Sequence, residues 1–229
     1  MKKFITNFCK TNTSLLVFIS LMLVFRSAVA DWNDVPTGSM KPTIVEGDRI
    51  FISKMAYDLK LPFSQKTLIN FADPKRHDIV IFESKVANKR LVKRVVGIPG
   101  DTISMVNNQL SINQETAEYT LVSLEKGYTL SQESIAGNSH LIRTLVQPGD
   151  NNQPRRASFN EITIPEGFYL MMGDNRDNSA DSRSIGLVPR EEIIGRSNKV
   201  VFSLDYEQYL MPRNERFLKA LDSNNKSTS

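Results

Sequence analysis

Cysteine and histidine are nearly missing from this 229-residue chain, which has one cysteine, Cys9, and two histidines, His77 and His140. A single cysteine cannot form an intramolecular disulfide, and cysteine-rich zinc sites are excluded with it. Two histidines leave few options for metal ligation or for serine–histidine chemistry. His77 stands in the polar turn Asp73-Pro74-Lys75-Arg76-His77-Asp78, and His140 follows Gly137-Asn138-Ser139. Both are expected on surface loops rather than in the role of a base. Charge of one sign is short as well. The net charge is +4, and the basic pairs Lys75-Arg76, Lys89-Arg90, Lys93-Arg94 and Arg155-Arg156 are scattered without interleaved aromatics. A nucleic-acid face needs clustered charge, so no nucleic-acid partner is expected. Attraction to an anionic membrane surface suits these numbers better. Internal repeats are lacking too.

What is present is ordinary globular material, 40% apolar and 24% charged, in a length that suits one substantial domain or a larger and a smaller one. The exception is the amino terminus. Lys2, Lys3 and Lys10 precede a nearly unbroken apolar run over residues 15–25, followed by Arg26-Ser27-Ala28-Val29-Ala30 and then Asp31 and Asp34. Two readings fit. A basic segment, an apolar stretch and the small-residue end Ala28-x-Ala30 describe a signal peptide. Residues 13–30 are also about the ~18 residues that can span a bilayer. Both put the amino terminus in the cytoplasm and everything from Asp31 onward outside.

The remainder reads as short strands between turns. Strands are expected over residues 48–53, 78–83, 91–96, 161–164, 168–172 and 200–204, the last of these closing the series, with a hairpin over 102–112 around Asn107-Asn108. Helical periodicity is weak except in the anchor and over 207–221. From about 115 to 160 the pattern loosens, with the polar loop 147–154, and suggests an inserted lobe with little visible chemistry. Residues 222–229 are polar and expected to fray.

Three stretches carry the chemistry. Pro36-Thr37-Gly38-Ser39-Met40-Lys41-Pro42-Thr43 presents a serine in a Gly- and Pro-flanked turn. Gly38 permits tight turning and close approach of another chain, and the Thr37 hydroxyl and Ser39 amide can face a developing oxyanion. Leu91-Val92-Lys93-Arg94-Val95-Val96 places Lys93 between Leu91 and Val95 on one strand face. Burial there disfavours the ammonium form, and a neutral amine can take a serine's proton. Taken singly, each also fits a bland role, a turn serine and a lysine on a half-exposed strand. The third stretch, Gly173-Asp174-Asn175-Arg176-Asp177-Asn178-Ser179-Ala180-Asp181-Ser182-Arg183, resembles a calcium loop only superficially. Ser182 stands where such a loop needs glycine, and Val188 where it needs a bidentate glutamate. A polar network fits better, with Asp181 paired to Arg183 and Ser179 offering an oxygen to the lysine amine. An ordinary surface loop is the alternative.

Together these stretches, with Gly47-Asp48, Pro74-Lys75-Arg76-His77-Asp78-Ile79-Val80 and Gly97-Ile98-Pro99-Gly100-Asp101, resemble the boxes of bacterial type I signal peptidases in that family's order. The resemblance implies a mostly β, barrel-like catalytic domain over 31–114 and 161–221. It also implies an inserted lobe over 115–160, a basic cytoplasmic segment 1–12 and one retained transmembrane helix over 13–30 of the cytoplasmic (inner) membrane. It implies Ser39 as nucleophile, Lys93 as general base, Thr37 with the Ser39 amide as oxyanion donors, Ser179 orienting Lys93, and Asp181 with Arg183 bracing the site. Met40, Leu91 and Val92 would help line shallow pockets for small residues of an exported preprotein's signal peptide, with membrane lipids as the other partner and no metal or cofactor needed. Thr37 departs from the serine of many members, and Ser184-Ile185 from the aromatic pair of some. A peptidase dedicated to one secretion or conjugation substrate is the nearest alternative. A self-cleaving regulator and a membrane-anchored scaffold with a dead site are the others.

Overall fold

Strands dominate this molecule, and in the stretch Asp48–Ser53 the side chains alternate between buried and half-buried positions, as the pleat of a strand dictates. The computed structural model describes residues 12–61, 64, 66–146 and 157–221. The loop 147–154, the tail 222–229 and nearly all of the basic segment 1–12 lie outside the described residues. In chain order the strands are β1 (Ala30–Asp34), β2 (Asp48–Ser53), β3 (Asp58–Lys60), β4 (Thr67–Asn70), β5 (Ile79–Ser84) and β6 (Lys89–Gly97). There follow β7 (Thr102–Val106), β8 (Gln109–Ile112), β9 (Glu115–Thr116), β10 (Glu118–Glu125), β11 (Tyr128–Ile135) and β12 (Asn138–Leu145). The last are β13 (Phe159–Thr163), β14 (Phe168–Met172), β15 (Val188–Pro189), β16 (Ile193–Ser197), β17 (Val200–Asp205) and β18 (Met211–Pro212). Among the described residues two α-helices accompany them, α1 (Thr13–Ala28) and the single turn α2 (Ser182–Ile185).

The mostly β class holds. The main sheet runs β15-β14-β6-β5-β16-β2-β17-β18, with β1 added beside β2. It is an open path, so among the described residues the sheet does not close into the barrel expected from the family resemblance. Its central pair shows why the sequence forms it. β5 sends Ile79 and Ile81 into one apolar cluster with Met40, Ile44, Ile50 and Ile52, and Val80 and Phe82 into another with Tyr57, Val95 and Met171. A strand buried on both faces needs a continuous apolar run, which Ile79-Val80-Ile81-Phe82 supplies. β6 lies antiparallel to β5 with Lys93 opposite Val80. A second sheet, β13-β7-β8-β9, covers a third cluster of Ile103, Met105, Leu110 and Ile112. Its β7–β8 turn uses Asn107 and Asn108, both at positive φ, as a tight hairpin demands.

Two expectations are corrected. The stretch 207–221 is not a helix. After β17 the chain folds back into β18, and only Asn214–Arg216 makes a 3-10 turn. Tyr209 and Leu210 sit at positive φ, and Pro212 within the stretch cannot supply a helical N–H. The stretch from 115 onward is not loose either. β10, β11 and β12 form an antiparallel sheet with eight residues in each strand and one register shift between Leu121 and Ser123.

α1 has 16 residues and ends at Ala28, two residues short of the expected span, because Ala30 already pairs with Ser53 in β1–β2. Sixteen residues rise about 24 Å, less than the ~30 Å of a bilayer's hydrocarbon core. Among the described residues no helix is long and apolar enough to cross a membrane.

Candidate active site

The serine turn is held from behind. Gly38–Met40 form a 3-10 turn, with Thr37 extended and exposed ahead of it and Met40 buried in the core behind it. The Asn175 backbone N–H donates to the Ser39 carbonyl at 3.1 Å, and the Asn175 side-chain amide donates to the Gly38 carbonyl at 3.0 Å. Gly173 makes this approach possible. A Cβ there would stand 2.4 Å from the Ser39 carbonyl oxygen and 2.3 Å from Ser179 Oγ.

Opposite the turn, β6 brings Lys93 to the serine. Lys93 Nζ lies 2.7 Å from Ser39 Oγ and 2.9 Å from the Val92 carbonyl oxygen. The side chain is only 2% exposed. Burial lowers its pKa to about 8 from the usual 10.5, and the charges of Asp181 and Asp174 only partly offset that push. Such an amine is neutral in a substantial fraction of molecules near physiological pH. The hydrogen bond to Ser39 then runs in reverse, with the hydroxyl donating to the amine's lone pair.

The segment 173–183 packs around this pair. Asp181 is fully buried and clamps Arg183 through two bonds of 2.8 and 2.7 Å. Its Oδ2 also accepts the Gly173 N–H at 3.0 Å, and as the residue before α2 it accepts the Arg183 N–H. Burial works against its ionisation, but Arg183, the Gly173 amide and the Ser179 hydroxyl overcome that and hold its pKa below the usual carboxylate value. Ser179 is buried against Gly173 on the serine side of the cleft, with its hydroxyl engaged by Asp181. Leu91 and Val92 are half-buried on β6, packed against separate apolar clusters. The structure therefore brings Ser39, Lys93, Ser179, Asp181 and Arg183 together, with Met40 and Val92 beside them and Thr37 at the open edge.

Several neighbours escaped the sequence reading. Arg94, next to Lys93, grips Asp174 through bonds of 2.8 and 2.7 Å, and both are almost fully buried. The Thr43 hydroxyl donates to the same carboxylate, tying the serine segment to it. Neither histidine is exposed, although His77 is half-buried in the turn where it was expected. His140 is buried within β12, and its ring meets that of His77 edge-on at 5.3 Å between centroids. Burial, reinforced by the Arg94 charge, lowers the His77 pKa to about 4 and His140 well below its usual value, so both are neutral. The usable signal was the run Gly173-Asp174-Asn175 beside an apolar strand, where polar residues had to find buried partners.

A family model described as signal peptidase, peptidase S26, matches residues 7–202. Signal peptidase I of Pseudomonas aeruginosa is 38% identical over 199 residues, which cover 80% of this chain and 68% of that protein. Signal peptidase I of Rickettsia typhi is 34% identical over 202 residues, 81% of this chain and 76% of that one. Among solved structures, a signal peptidase I from Enterococcus faecalis is 27% identical, covering 56% of this chain and 98% of that one at a TM-score of 0.36.

Proposed function

This chain belongs to the peptidase S26 family of signal peptidases and is a type I signal peptidase, a serine endopeptidase, and we propose that it cuts with a Ser39–Lys93 dyad. One observation carries this reading: the 2.7 Å contact between a desolvated lysine amine and the serine oxygen. An exported preprotein would lie extended across the Ser39 turn, with small residues at the first and third positions before the cut. Neutral Lys93 accepts the Ser39 proton while Oγ attacks the carbonyl carbon. The Ser39 amide and the Thr37 hydroxyl donate to the oxyanion, each such donor being typically worth ~10²–10³ in rate. The Lys93 ammonium then protonates the departing amine, which leaves as the new amino terminus. Lys93 next draws a proton from water, the hydroxide equivalent attacks the acyl-enzyme ester, and Ser39 is released with its proton.

In this reading Asp181 and Arg183 keep the 173–183 segment folded over the lysine. Ser179 orients the Lys93 amine, and Met40, Leu91 and Val92 line the pockets for small substrate residues. The exposed apolar faces of α1, including Phe18 and Leu21, support insertion into the cytoplasmic membrane, with the amino terminus inside and the catalytic domain on the outer face.

The test is cleavage of an Ala-x-Ala preprotein by the full chain in detergent micelles. Ser39→Ala and Lys93→Ala should each lower kcat by about 10⁴-fold or more, the upper end of what a positioned proton acceptor supplies. A serine-directed acylating probe should label wild type at Ser39. Full turnover by either variant overturns the dyad.

A further inference from the structure

The inserted sheet reaches the serine turn through buried charges. Glu133, at the inner face of β11, is fully buried, and both of its oxygens accept from Arg176, at 2.6 and 2.5 Å. The Tyr119 hydroxyl of β10 donates to the same carboxylate at 2.7 Å, and His140 Nε2 of β12 stands 3.5 Å from it. Arg176 is itself 1% exposed and follows directly on Asn175, the residue whose amide and side chain hold the Gly38 and Ser39 carbonyls. Its own carbonyl accepts from Arg183 Nη2 at 2.6 Å. The bonds on either side repeat the pattern. The Arg143 N–H of β12 donates to the Asp174 carbonyl at 2.8 Å, and Asp177 accepts from the Leu145 N–H of β12 and from the Asn108 side chain. The segment 174–177 therefore has one side bonded to the inserted sheet and the other to Ser39 and the Lys93 strand.

We propose that Glu133 is a positioning residue for the reaction, acting through Arg176 and Asn175 to set the height of the Ser39 turn against Lys93. The inserted sheet is then part of the catalytic apparatus rather than an appendage. Two physical points support this. A buried guanidinium needs a counter-charge, so the place of Arg176 is dictated by the carboxylate that receives it. Arg176 and Asn175 are consecutive, so a displacement of the first carries the second with little slack. Burial opposes ionisation of Glu133, yet the Arg176 guanidinium and the Tyr119 hydroxyl hold its pKa at about 2, which keeps the counter-charge in place throughout the working range.

The inference rests on the Ser39–Lys93 reading, and its test separates the two. The full chain is prepared in detergent micelles as wild type, Glu133→Gln and the double variant Glu133→Gln/Arg176→Gln. Each is assayed for kcat, KM, labelling of Ser39 by the acylating probe, and thermal unfolding. In Glu133→Gln, kcat and the labelling rate should fall together by about 10²-fold, the scale of a roughly 1 Å misplacement, while KM changes by less than about threefold. The double variant, with no buried unpaired charge, should regain thermal stability but stay slow in both kcat and labelling. It also provides the decisive reading if Glu133→Gln fails to fold. A double variant with wild-type stability and wild-type kcat overturns the proposal, as does a folded Glu133→Gln enzyme with unchanged kcat. Absence of label at Ser39 in wild type sinks the dyad instead.

Discussion

Lys93 and Arg94 are neighbours on β6, each 2% exposed, yet the two sides of the strand treat their cations in opposite ways. On one side Arg94 meets Asp174 through two short bonds and also donates to the His77 carbonyl. On the other side the Lys93 amine touches a hydroxyl and a backbone carbonyl, with no carboxylate among the described residues in contact. Burial is the same and the counter-ion differs. A buried cation with a bidentate partner is structural, whereas one left to neutral oxygens can give up its proton and so do chemistry. Placing both on one strand lets the arginine anchor β6 while the lysine bears the cost of desolvation.

That contrast is broken most severely by Arg94→Met. It strands the buried Asp174 carboxylate and should cost about 3–5 kcal/mol, read as a fall in the urea midpoint. Lys93→Met should do the reverse. The Lys93 pKa is about 8 when folded against 10.5 otherwise, so between those values the unfolded chain binds more protons and stability rises with pH. The penalty is in full force below pH 8, and removing the amine there should add about 3 kcal/mol. The gain should shrink as pH climbs from 8 towards 10.5. A Lys93→Met protein no more stable than wild type at pH 6 would mean the amine is not desolvated.

In activity the same feature predicts a rate limb. kcat/KM for preprotein cleavage should increase with pH through about 8 as Lys93 loses its proton. Gly173→Ala sharpens the geometry, since its methyl group would meet both the Ser39 carbonyl and Ser179 Oγ. Pushing the turn off its seat should lower kcat on the order of 10²-fold. At the far end of the scale stands the exposed pair Lys85–Glu191, 2.6 Å apart. Lys85→Ala should leave both the unfolding midpoint and the rate unchanged, because solvent screens such pairs.

How legible each part was follows from what it buries. β2, β5, β6 and β14 announce themselves through apolar runs such as Ile79-Val80-Ile81-Phe82, and the serine turn through Gly38 between two prolines. The inserted sheet stayed hidden because much of what its inner face buries is polar. Glu133 and His140 look like solvent-facing residues until Arg176 is set among them. The stretch 207–221 misleads because its scattered apolar residues imitate a helical stripe, while Tyr209, Leu210 and Met211 are exposed on a returning hairpin and Phe217 is exposed after the 3-10 turn that follows it. Arg94 was unreadable for a different reason. Its partner Asp174 is remote in sequence, and only strand pairing between β6 and β14 brings the two together.

The joint between α1 and the sheet also has a geometric consequence. The helix ends at Ala28, Ala30 is already in β1, and Lys54 grips the Arg26 and Ser27 carbonyls from the adjoining strand end. Only Val29 lies between the helix and the strand, so a residue inserted after Ala28 would leave the β1–β2 pairing in place and displace the end of α1 from its contacts with Lys54. The seam therefore has almost no slack, and the direction in which the helix leaves the sheet is set by a single connecting residue.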